Sequence, residues 1–182
     1  MPLMGAIKPP SKVLLLIAAS SRYPQALQWS VQRARETWGE IGRLSEAFVF
    51  EDTDYYASTM GSGLLKQFIV LAERVDPGRL ASIKCLTNQW EEEYSQLSAH
   101  AEPRPLNLDP GYLTEAKLIL ASTKDHSHRI YLSDGIYAEI TLDYYHRAWR
   151  AQRWTYPDYL REDYQRFFTN CRDYLRQLRG QS

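Results

Sequence analysis

VLLLIAASSRYPQALQWSVQRARETWG (residues 13–39) decides how the rest of the chain is read. Its first seven residues, VLLLIAA, are uninterruptedly apolar and follow Lys8, the Pro9-Pro10 pair and Lys12. Lysines ahead of an apolar run, with the small residues Ser20 and Ser21 behind it, mimic a secretory leader, although the run is short for one. A strand buried on both faces in the centre of a sheet asks for the same pattern, and we read it so. Tyr23-Pro24 then opens a helix, with Pro24 in the first turn, where its missing N–H costs nothing. Leu27, Val31, Ala34 and Trp38 recur at helical spacing, and Gly39 closes the segment.

Outward from this unit, the pattern predicts a second strand ending in AFVF (47–50), a polar connection EDTDYYASTMGSG (51–63) and a third strand in LKQFIVLAERV (65–75). Asp76 and Pro77 start the next helix as N-cap and first residue, and Leu80, Ile83, Trp90, Tyr94 and Leu97 share one face. HAEPRP (100–105) ends it. PLNLDPGYL (105–113) predicts a fourth strand with a Pro-Gly turn, and Thr114 caps a short helix over EAKLILAST (115–123). A hairpin and a Trp-rich connection follow. WTYPDY (154–159) then leads into a last helix carrying Leu160, Tyr164, Phe167, Phe168, Cys171, Leu175 and Leu178, with Pro157 at its start. The expected fold class is α+β: a ferredoxin-like β-α-β-β-α-β core extended by a short helix, a β-hairpin and a C-terminal helix. One domain over 1–182 is expected, with 1–11 flexible.

Composition narrows the function classes. The chain has 182 residues, 44% hydrophobic and 24% charged, which is globular and not disordered. Lys plus Arg and Asp plus Glu both total 22, so no net charge draws the whole molecule to nucleic acid or anionic lipid. Two isolated cysteines, Cys85 and Cys171, make neither a disulfide framework nor a zinc set, and point to a reducing cytosol. No later apolar run is long enough to span a bilayer.

The densest polar stretch is TKDHSHRIYLSDGIYAE (123–139). A two-residue Asp134-Gly135 loop would put His126, His128, Glu139 and Asp143 on one face, a metal-like cluster, but it splits the apolar residues between faces. A three-residue Ser133-Asp134-Gly135 loop pairs Leu132 with Ile136, Ile130 with Ala138 and His128 with Ile140 on one apolar side. Tyr131 then pairs with Tyr137, and Arg129 with Glu139, on the other. A one-residue slip flips every side chain, so the apolar face selects the second register and dissolves the metal cluster. Adjacent strand residues point to opposite faces, which also rules out a direct triad of Asp125, Ser127 and His128.

NLDPGYL (107–113), KLILASTKDHSHRIYLSDGIYAEITL (117–142) and WTYPDY (154–159), with TDYY (53–56) and Met60-Gly61, resemble the signature segments of a bacterial and archaeal family catalogued as domain of unknown function 4416. The resemblance covers nearly the whole chain and implies no activity. No G-x-x-x-x-G-K-[ST] loop, zinc spacing, nucleophile elbow or Rossmann fingerprint is present.

Candidate site residues therefore come from chemistry alone. Thr114 at a helix start, with Lys117, Lys124 and Arg129, would hold a phosphate or carboxylate. Asp52, Asp54 and Asp109 would hold Mg²⁺ against such a ligand. Tyr55, Tyr56 and Tyr112 would stack on a base or sugar, and His128 or Asp125 would move a proton. Each has an ordinary reading too: Asp109 as a turn former, Thr114 as a cap, His128 as a core-edge histidine, Arg129–Glu139 as a cross-strand ion pair. The expected function is a cytosolic protein that binds a small anionic metabolite such as a nucleotide, with turnover left open. The alternatives are an RNA-binding module, disfavoured by the zero net charge, and an interaction protein using the 149–159 segment. A closed cleft joining 52–56, 109–117 and 124–129 would favour the metabolite, and an open, basic, aromatic sheet face would favour RNA. Separation of those segments by more than ~20 Å would break the shared site.

Overall fold

The chain, seen in a computed structural model that describes residues 5–50 and 57–180, is α+β, with four helices and a large antiparallel sheet. The first unit folds as its sequence dictates. VLLLIAASS becomes β1 (Val13–Ser21), every residue of it buried, and Pro24–Trp38 becomes α1. β2 (Ile41–Leu44) and β3 (Phe48–Phe50) follow, separated at Ser45, which both donates to and accepts from the backbone of the next long strand's Phe68. The expected single second strand is thus two. A short helix α2 (Ala57–Met60) precedes that long strand, β4 (Leu64–Val75). Asp76 accepts from Gly78 N at 2.8 Å and opens a 3₁₀ turn at Pro77–Arg79 that runs into α3 (Leu80–Leu97).

β5 (Asn107–Leu113) and β6 (Lys117–Ser122) form a hairpin. Two expectations fail here. Pro110-Gly111 lies inside β5 and makes no turn, and KLILAS is a strand and not a helix. Leu118, Ile119, Leu120 and Ala121 are all buried, and a short run buried on both faces carries no periodicity to separate strand from helix. Thr114 does cap, but inside the hairpin turn, where its Oγ1 accepts from Ala116 N and Lys117 N, both at 3.1 Å.

β7 (Ile130–Ser133) and β8 (Ile136–Tyr145) complete the second hairpin, and β9 (Ala148–Ala151) pairs beyond it. Ile130 faces Ala138 and Tyr131 faces Tyr137, as the register argument expects. The turn itself is shorter. Ser133 faces Ile136, so the loop is Asp134-Gly135, both with positive φ (54° and 75°), and Leu132 is bulged. The reason also differs, because β7 is an exposed edge and, of the β8 residues it pairs with, only Ile136 is deeply buried. Residues 123–129 are loop, so strand alternation does not govern Asp125, Ser127 and His128. Pro157 begins a separate 3₁₀ turn, Pro157–Leu160, before α4 (Glu162–Gly180).

Among the described residues the strands form one nine-stranded sheet, ordered β2-β4-β1-β5-β6-β8-β7, with β3 beside β4 and β9 beside β8. α1 and α3 lie together on one face, where Ile17 and Ala19 meet Leu27, Ala34, Trp90 and Tyr94. α4 covers the other, where Leu14, Leu16, Phe68 and Val70 meet Tyr164, Phe168, Cys171 and Leu175. No helix among the described residues is long and apolar enough to cross a membrane.

Candidate functional site

The sheet has a gap. β5 pairs with β6 only from Gly111↔Leu120 to Leu113↔Leu118, so residues 107–110 run alongside β1 but leave β6 behind. Pro110, immediately before the last paired residue, has no N–H to offer a neighbour. Gly111 lets the strands touch where they do pair, because a Cβ there would run into Ile119 O. Into the gap opens a cleft of about 600 Å³, lined from both sides of the sheet. α3 contributes Lys84, Asn88 and Glu91, β5 contributes Asn107 and Asp109, and β4 contributes Lys66. The far wall is Ser122, Lys124, Arg129 and Glu139, and Tyr156, Asp158 and Tyr159 close one side.

The walls carry buried charge. Lys66, Lys84, Glu139 and Asp158 are 6%, 3%, 4% and 2% exposed, far below what such residues show without a reason. Lys66 Nζ donates to Asp158 Oδ2 and stands 3.7 Å from the Phe50 ring centre. Lys84 Nζ donates to Leu108 O at 2.8 Å and to Asp109 Oδ1 at 3.2 Å. Asn107 Nδ2 holds the other Asp109 oxygen at 2.7 Å, and Arg104 joins Asn107 Oδ1 to Glu91. Burial pushes the Asp109 carboxyl up, but the Lys84 ammonium, the Asn107 amide and the Lys66 charge outweigh it and hold it below the usual range. Burial wins at Glu91, whose carboxyl is raised despite Lys84 and Arg104. On the far wall, Arg129 donates from Nε to Glu139 Oε2 at 2.7 Å and from Nη1 to Ser122 Oγ at 2.8 Å. His128 Nε2 meets the same Glu139 oxygen at 2.9 Å, and the His128 ring stacks on Trp154, 4.9 Å between centres. A carboxylate only accepts, so His128 carries its proton on Nε2.

The structure brings together Asp109, Lys124 and Arg129 of the sequence-derived candidates. The Arg129–Glu139 pair forms as expected. His128 touches the site through Glu139, and Asp125 is exposed on the loop outside the lining. Thr114, Lys117 and Tyr112 lie at the other end of β5: Leu113 stands beside Leu14 at the start of β1, and Asn107 beside Ser20 near its end. At ~3.3 Å per residue, Thr114 is roughly 20 Å or more from Asn107, too far to share a small ligand's anion. The anion cradle expected at a Thr114 helix start is lost with the helix itself. Tyr112 packs between β5 and the α3 layer, and burial raises its hydroxyl pKa. Asp52, Asp54, Tyr55 and Tyr56 lie outside the described residues, and no group of three His, Cys, Asp or Glu side chains that could hold a metal occurs among those described.

Sequence reasoning missed Lys66, Lys84, Glu91, Asn107 and Asp158. The signal was there: Lys66 interrupts the apolar phase of Leu64 and Phe68, and Lys84 and Glu91 share the face of Leu80, Thr87 and Tyr94. A charge on the inward phase of an apolar pattern either pairs or lines a cavity.

Neither a curated protein nor a solved structure matches this chain. One family model does, over residues 11–174 of 182, a span that includes β5, β6 and the 154–159 segment beside the cleft. The chain belongs to the domain of unknown function 4416 family.

Proposed function

We propose that this protein binds a small metabolite through a phosphate or carboxylate group, in the cleft between β5 and β6. One observation carries the reading: two buried lysines, Lys66 and Lys84, face one cleft with N–H groups to spare. Each ammonium has three donors, and among the described residues Lys66 uses one and Lys84 two. Salt bridges alone would explain the burial, but not the open volume beside them. Arg129 and Lys124 on the opposite wall give an anion a second contact. Binding and turnover are both compatible with these contacts.

The ferredoxin-like core supports the same placement. We read β2-β4-β1-β5 as that core, since those strands are antiparallel neighbours and α1 and α3 return on one face. An RNA module of this kind would stack bases on the opposite face, which α4 covers. The cytosolic reading rests on Cys85 and Cys171, both free thiols on helices of opposite layers.

A thermal-shift panel of nucleotides, sugar phosphates, carboxylates, short RNA and divalent ions tests this. A ligand at ~100 times its dissociation constant adds about 2.7 kcal/mol, a shift of several degrees for a chain of this size. The expected result is a phosphate or carboxylate hit that Lys84→Met abolishes with the circular dichroism spectrum unchanged. A panel in which only RNA shifts the melt would contradict it.

A further inference from the structure

Glu139 and Asp158 share a feature that salt bridging does not use. Both are more than nine-tenths buried, and both line the cleft. Glu139 Oε2 takes the hydrogen bonds from Arg129 and His128, and Asp158 Oδ2 takes the one from Lys66. The second oxygen of each, Glu139 Oε1 and Asp158 Oδ1, takes none from the described residues. Neither is among the side-chain polar atoms of the described residues that are both sealed from solvent and without a hydrogen bond. Each therefore keeps accessible surface, and the space beside these residues is the cleft.

An ionised carboxylate can only accept, so an open oxygen in a partly dry cleft asks for a donor. A bare phosphate or carboxylate filling this volume would meet two negative oxygens and gain nothing from them. We infer that the ligand is bifunctional. It carries an anionic group for Lys84 and Lys66, and hydroxyl or ammonium hydrogens that donate to Glu139 Oε1 and Asp158 Oδ1. This makes it a hydroxylated or aminated phosphate or carboxylate, of the sugar-phosphate or amino-acid type, and not a simple anion. Arg129 and His128 act as positioning residues: by occupying Oε2 they fix the carboxylate so that Oε1 is the oxygen presented. The inference rests on the anion-binding reading above and sharpens it.

Titration calorimetry on the full chain separates the two. Methyl phosphate and acetate are the bare anions, ribose 5-phosphate and glycerate carry hydroxyls, and phosphoethanolamine and glycine carry ammonium. At least one donor-bearing probe is expected to bind ten- to a hundredfold tighter than the bare anion of its series, the range of a hydrogen bond to a charged acceptor. Whether the hydroxyl or the ammonium arm wins identifies the donor. Glu139→Gln must turn its carbonyl oxygen to Arg129 and His128 and present its NH₂ to the cleft, so it should erase most of that advantage, read as the ratio of donor-bearing probe to bare anion within one series. Equal affinities within each series would overturn this inference and leave the anion reading standing, as would a Glu139→Gln variant that keeps the full advantage. No binding by any of the six would overturn both. Should Glu139→Gln fail to fold, the wild-type comparison of the six probes stands alone as the test.

Discussion

Asp158 shows how much one side chain can depend on another. Its carboxylate and the Lys66 ammonium are both buried, and their salt bridge spans 92 residues of sequence. Breaking such a pair strands a charge, so Asp158→Asn should cost about 3–5 kcal/mol of unfolding free energy by urea titration. The double variant Lys66→Met/Asp158→Leu should recover most of that loss, and an equally destabilised double variant would show that packing, not stranded charge, sets the cost. Asp109 gives a pH signature. Its carboxyl is held below its ordinary value in the folded chain, so the stability it contributes is fully present above the unfolded value, ~4, and is lost as pH falls through the lowered folded value. Urea midpoints between about pH 4 and pH 2 should therefore fall less steeply in Asp109→Asn than in the wild type. At this scale the sequence was half legible. Arg129–Glu139 followed from register, because Arg129 lies one residue ahead of Ile130, which pairs with Ala138, and so comes opposite Glu139. Lys84–Asp109 and Lys66–Asp158 join elements far apart in the chain, and no local pattern pairs them.

The elements divide by how local their cause is. α1, α3 and α4 carry their own apolar stripes; α1 forms where the pattern puts it, while α3 and α4 begin at Leu80 and Glu162, each after a 3₁₀ turn that takes up the expected Pro start. β6 does not announce itself, since its buried run reads equally as helix until β8 is placed beside it. β5 is the element on which the cleft depends. Gly111 sits where β5 and β6 come closest, and Gly111→Ala would drive a methyl into Ile119 O and Leu120. The expected cost is about 1–3 kcal/mol from overpacking, read by urea titration, together with weakened ligand binding as the gap shifts. Gly135 on the β7–β8 turn differs: nothing stands near its missing side chain, but its φ is 75°. Gly135→Ala should therefore cost only about 1–2 kcal/mol, with binding untouched.

In the whole molecule, α4 converts a two-layer arrangement into three layers. Its Tyr164, Phe168, Cys171 and Leu175 seal the sheet face opposite α1 and α3, and burial lifts the Cys171 thiol to about 12. Phe168→Ala should cost about 3–5 kcal/mol, measured as a lowered urea midpoint. The helix was plain in the sequence, but its place was not, because an amphipathic stripe says what it needs to bury and not against which face. The same limit hid the cleft: it exists because β5 leaves β6 while α3 and the 157–160 turn converge on the gap from opposite sides.

The most direct test of the central claim is a crystal structure of the chain with the best phosphate- or carboxylate-bearing ligand of the panel. The account predicts its anionic group in the gap between β5 and β6, within ~3.2 Å of Lys84 Nζ. Ligand bound on the sheet edge, or at Thr114 and Lys117 at the far end of β5, would contradict it.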